Sequence, residues 1–172
     1  MFSIFSKKNS LKKVIKKNLT SFQLLFSNKS IQTVGIIIDE TQVKSYQKLI
    51  NLLHEYNINA NNIKILTYKD KITKNETLPE PFSSIDDISA TGIFQKNSVL
   101  DFLYTPFDML ISYYDIDKEP LILATIQSKA VFKVGFSSTH HKTHHLMIQT
   151  RMENHQEFIT ELFKYLKILK KI

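Results

Sequence analysis

The spacing of apolar and polar positions changes period several times along this chain, and each change marks an element. Residues 34–38 of "IQTVGIIIDE" form a continuous apolar run rich in β-branched side chains, which predicts a short strand buried on both faces. In "ETQVKSYQKLINLLHEYN" that follows, Val43, Tyr46, Leu49, Ile50 and Leu53 recur at helical spacing with lysines between them, predicting an amphipathic helix. "NNIKILTYKD" then predicts a strand over residues 63–68. Strand, helix and strand in this order make a βαβ unit with a right-handed crossover.

The next stretch, "KDKITKNETLPEPFSSIDDISATGIFQ", has no sustained period. Pro79, Pro81 and Gly92 mark it as a long loop, with a short extended piece over residues 88–94. "NSVLDFLYTP" predicts a helix capped by Asn97 or Ser98 and stopped before Pro106. "FDMLISYYD" predicts a buried strand, and "KEPLILATIQSKA" a helix with Pro120 in its first turn. "VFKVGFSS" and "HHLMIQT" predict two further strands, so close in sequence that an antiparallel or displaced edge strand is allowed for the last. "NHQEFITELFKYLKILKKI" closes the chain as a helix with Phe158, Leu162, Tyr165, Leu166 and Leu169 on one stripe. The alternation predicts an α/β fold, a three-layer Rossmann-like or flavodoxin-like sandwich with a mostly parallel sheet.

One more helix precedes this unit. In "SLKKVIKKNLTSFQLLF", Leu11, Val14, Ile15, Leu19, Phe22, Leu25 and Phe26 fall on one stripe of a helix starting near Ser10, with lysines opposite. The expected organisation is therefore a basic amphipathic helix over residues 1–30, then a single Rossmann-like domain over residues 31–172. The segments "VGIIIDE", "FDMLISYYDIDKEPLILATIQSKAVFKVGFSS", "HHLMIQT" and "FITELFKYLKILKKI", with the lysine-rich first helix, resemble an uncharacterised bacterial family of short one-domain α/β proteins. That resemblance implies the fold and no activity. The order "FDMLISYYD", "PLILATIQSKA", "FKVGF" also looks like part of the first Rossmann half of heptosyltransferase-type glycosyltransferases. No residue here matches their sugar-nucleotide site, and none is carried over.

Charge changes the picture only once it is located. The net charge is +7, and no acid precedes Asp39, whereas Lys7, Lys8, Lys12, Lys13, Lys16, Lys17 and Lys29 do. The remaining 16 basic and 16 acidic residues cancel. A neutral body thus carries a basic leading helix. Packing of its stripe on the domain leaves the lysines available, and Lys7, Lys8, Lys12, Lys13, Lys16 and Lys17 are the candidate contacts to an anionic partner. RNA or a ribonucleoprotein is preferred over an anionic membrane surface, because insertion into a bilayer would need the stripe itself, with Phe2, Ile4 and Phe5 assisting. Arg151 is the only arginine, so a general electrostatic grip is expected rather than base readout.

Candidate chemistry is sparse. Three strands end on acids, at Asp39 and Glu40, Asp70, and Asp115. In open α/β sheets ligands bind at this carboxyl edge, and converging acids there would suit Mg²⁺; helix caps or solvated acids are the favoured expectation. Asp39, Glu40, Asp115, Ser137 and Ser138 form the alternative site, for a nucleotide or sugar nucleotide. Gly35, Gly92 and Gly135 are isolated, which excludes a dinucleotide fingerprint or a P-loop. "VGFSSTHH" lacks the elbow of a serine hydrolase. His140, His141, His144 and His145 are expected in a solvated loop, and His54 and His155 on the surface. No metal or cofactor is assigned, and with no cysteine a thiolate site is impossible. No run spans a bilayer and no secretory signal is legible, so the expected location is the cytoplasm or the inner face of the membrane. The sequence favours a binding protein over an enzyme.

Overall fold

The computed structural model describes residues 4–24, 27–43, 45–73, 76, 78–79 and 81–172. Its first element is helix α1 (Ile4–Ser21), followed by strand β1 (Val34–Asp39), helix α2 (Gln47–Glu55), strand β2 (Ile63–Tyr68) and strand β3 (Phe82–Ser83). Helix α3 (Asn97–Tyr104), strand β4 (Met109–Tyr113), helix α4 (Glu119–Gln127), strand β5 (Phe132–Phe136), strand β6 (Leu146–Ile148) and helix α5 (His155–Ile168) complete it. All strands run parallel in one sheet of order β3-β2-β1-β4-β5-β6. The order reverses between β1 and β4. The expected α/β architecture with its parallel sheet is present.

Continuous apolar runs explain the central strands, since β1, β4 and β5 are buried at every position and need cover on both faces. One face packs on α2 and α5 through Leu49, Leu53, Phe158 and Leu162; the other packs on α3 and α4 through Val99, Phe102, Leu121 and Leu123. Gly35 and Gly135 sit where a side chain has no room. A Cβ would meet the Phe107 ring at 2.7 Å in the first case and the His144 imidazole at 2.6 Å in the second.

Helix α4 is buried on all sides, with Pro120 to Thr125 all inside. A helix apolar all round must be covered all round. The sheet covers one side, and α1 covers the outer one through Leu11 and Ile15. The molecule is thus four layers deep at this point. Complete burial of Leu11 alone is worth about 1.5–3 kcal/mol. At the far end of α4 the buried Lys133 ammonium donates to the carbonyls of Thr125 (2.6 Å) and Ser128 (2.9 Å), closing the helix C-terminus.

Several expectations are corrected. Strand β6 is parallel to β5, because the nine residues between them rise through a 3₁₀ turn at His141–Thr143 and return to the same edge direction. The long loop contains β3, and its residues Ile88 and Phe94 form the expected extended bridge. Helix α1 begins at Ile4 rather than near Ser10 and ends before Phe22; Phe2, Leu25 and Phe26 lie outside the described residues. Helix α2 begins at Gln47, with Val43 buried in the turn before it. Lys96 rather than Asn97 or Ser98 occupies the cap of α3. On α5 the inward face uses Ile159 and Phe163, while Tyr165 and Leu169 face solvent.

Candidate functional site

The acids at the carboxyl edge divide into a pair that meets and others that do not. Asp39 is wholly buried and Asp70 is half-exposed, yet both carboxylates lie 2.8 Å from the ammonium of Lys118, just before α4. Asp39 also accepts the Thr41 N–H (3.0 Å), and Asp70 accepts the Tyr68 hydroxyl (3.0 Å). Burial alone would lower the Lys118 pKa, but hydrogen bonds to Asp39 and Asp70 outweigh it and raise the value above that of an ordinary lysine. Burial likewise opposes ionisation of Asp70, and hydrogen bonds from Lys118 and Tyr68 overcome it, so its pKa is lowered. At the sheet's order reversal, where ligands sit in open α/β folds, a lysine therefore bridges two acids. The expectation that Asp39 caps a helix is corrected: it ends β1, turns onto Thr41 and is ion-paired.

Glu40, whose pKa is raised by burial, lies near Lys69 and Glu76. Asp115 is half-buried, and its backbone carbonyl accepts the Ser138 hydroxyl at 2.9 Å. Ser137 and Ser138 are both exposed. Among the described residues, no group of three His, Cys, Asp or Glu side chains is placed to hold a metal ion.

The histidine loop is only partly solvated. His144 is buried, with its Nδ1 against the Thr143 hydroxyl (3.1 Å) and its Nε2 facing Gly135. Burial pushes its pKa down to about 3, with backbone hydrogen bonding to His140 opposing this. His145 accepts the Lys133 N–H through Nδ1 at 3.0 Å. His140 and His141 lie outward, rings stacked with centroids 5.4 Å apart and planes 9° from parallel. His54 is exposed, whereas His155 is half-buried against the Tyr113 hydroxyl, correcting the expectation of a surface residue.

The lysines of α1 face outward because its apolar stripe is used on α4. Lys8, Lys12, Lys13, Lys16 and Lys17 are exposed, and Lys7 is half-exposed, donating to the Asp86 carbonyl at 3.4 Å. Lys12 is 3.7 Å from Glu119 but keeps 66% of its side chain in solvent. Lys8 acts on Asp70 only at a distance. Among the described residues, Lys13, Lys16 and Lys17 have no carboxylate within ion-pair reach. Ile4 and Phe5, at the start of the helix, are 51% and 74% exposed.

A cleft of about 680 Å³ opens between α1, the start of α4 and the His141–Thr143 turn. Ile15, Leu19 and Ile122 form its apolar floor. Lys12, Lys16 and Lys142 stand on the rim with His140 and His141, and the acids present are Asp117 and Glu119. Sequence reasoning missed it because its walls come from three segments far apart in the chain. The apolar run "PLILA" was the available signal, since it calls for an outer helix lying against α4.

Among the described residues, no helix is long and apolar enough to cross a membrane. Residues 7–169 match the model of a family described as a family of unknown function (DUF6913). No curated protein and no solved structure matches the chain.

Proposed function

The chain belongs to this family of unknown function, and we propose that it is a binding protein that docks on single-stranded RNA, free or on a ribonucleoprotein, through the lysine face of α1. One observation carries this: the helix is fixed by its apolar side on α4, while Lys13, Lys16 and Lys17 remain exposed with no acid partner among the described residues. Such a face attracts phosphates without regard to sequence and releases counterions when it binds. The buried stripe argues against bilayer insertion, which would compete with α4 for Leu11 and Ile15. At the edge where this fold would place a catalytic or ligand site, Lys118 is already ion-paired to Asp39 and Asp70.

Binding of a fluorescent single-stranded RNA, followed across salt concentrations, tests the proposal. Four neutralised phosphates give a slope of log affinity on log salt of about −3. The variant Lys12→Gln/Lys13→Gln/Lys16→Gln/Lys17→Gln removes most of that slope and of the affinity at low salt. Equal affinity in the variant overturns the proposal. Vesicles containing anionic lipid form the second arm: tight vesicle binding that Phe5→Ser abolishes, without RNA binding, replaces RNA by a membrane surface.

A further inference from the structure

The lysine face continues into the cleft beside it, which differs from the rest of the face in having an apolar floor. Charge alone would need no such floor. Ile15, Leu19 and Ile122 present a surface on which a flat heterocycle can lie. Lys16 and Lys142 stand at the rim as point charges suited to a phosphate. His140 accepts the Lys142 N–H at Nδ1 (3.4 Å), a tautomer that leaves its Nε2–H as a further donor. On the same wall Asp117 uses Oδ1 to accept the His140 N–H at 3.2 Å, leaving Oδ2 to accept from hydroxyl groups. Glu119 is engaged with Lys12. A cleft of about 680 Å³ also falls within the size range of small-molecule sites.

We propose that this cleft seats a nucleoside monophosphate unit, with its phosphate at Lys16, Lys142 and His140, its ribose hydroxyls at Asp117 and its base on Ile15, Leu19 and Ile122. The inference deepens the RNA reading and rests on it: the seated unit is the phosphorylated end of a strand whose following phosphates lie along α1. A free nucleotide shares the chemistry and is the other source.

The test is amide NMR on the full chain titrated separately with UMP, AMP, uridine, inorganic phosphate, and RNA oligomers with and without a 5′-phosphate. UMP or AMP shifts the amides of Ile15, Ile122, His141 and Lys142, uridine and phosphate alone do so far more weakly, and Lys142→Gln weakens the nucleotide about tenfold. Tighter binding of the 5′-phosphorylated oligomer than of UMP assigns the site to a strand end; equal binding assigns it to a free nucleotide. Equal shifts from inorganic phosphate overturn the nucleotide assignment. Absence of nucleotide shifts, with RNA affinity still lost in Lys13→Gln/Lys17→Gln, overturns the cleft and leaves the docking face standing. Absence of both nucleotide and RNA binding overturns both.

Discussion

Only 4% of His144 reaches solvent, and its Nε2, against the backbone of Gly135, has no hydrogen-bond partner among the described residues. Burial keeps the ring neutral in the folded protein, with a pKa down to about 3, whereas the unfolded chain takes a proton near the ordinary value of 6.5. Between these values the unfolded state binds the extra proton, so stability is retained above pH 6.5 and lost as pH falls towards 3. The expected loss is about 1.4 kcal/mol per pH unit in that window. Urea unfolding at a series of pH values measures it. His144→Gln should shallow the pH dependence by this amount, while lowering stability at neutral pH through lost packing. An identical slope in the variant would mean that the ring already carries its proton in the native state. The same crowding explains why Gly135 is glycine, a point that "VFKVGFSS" shows only as an isolated glycine in a strand.

At the scale of elements, α1 is a structural cover and, on the proposed reading, also a contact surface. Leu11 and Ile15 close the outer face of α4, so Leu11→Ala should cost about 2–5 kcal/mol of global stability. Phe5→Ser, at a site 74% exposed, should change it by less than about 0.5 kcal/mol. Chemical unfolding followed by circular dichroism separates the cases: a helix docked as part of the core unfolds with the sheet, whereas one resting loosely melts first and leaves the main midpoint unmoved. Most elements were legible before this. Strands β1, β4 and β5 showed themselves as apolar runs, and α2, α3 and α5 by helical spacing. Strand β3 was not, because the two residues Phe82 and Ser83 carry no period. The direction of β6 was not either, since "LMI" reads the same in a parallel or antiparallel ladder. The lysine face was legible from spacing alone. The lysine that joins Asp39 to Asp70 was not, since one acid ends β1 and the other follows β2, and only the sheet order brings them to Lys118.

The whole molecule separates its charge along one side. No acid precedes Asp39, the rest of the chain is balanced, and α1 turns Lys13, Lys16 and Lys17 to solvent with no carboxylate among the described residues to meet them. Like charges held on one rigid face repel, and that cost is part of the folded state. Salt relieves it by screening, and a bound polyanion relieves it by neutralisation. The two routes have opposite consequences for association. In the absence of RNA, the melting temperature should therefore rise as salt is added. With excess RNA it should start higher at low salt, and the increment should shrink as salt displaces the strand. The variant Lys12→Gln/Lys13→Gln/Lys16→Gln/Lys17→Gln should show neither the salt-dependent rise nor the RNA increment, because it lacks the repulsion that both relieve. Differential scanning fluorimetry over a salt series, with and without RNA, reads both effects in one protein preparation. A melting temperature that falls with salt in the free protein would mean that attraction within the subunit outweighs the repulsion along α1, and the lysine face would then be part of the fold's own electrostatics rather than a surface kept for a partner.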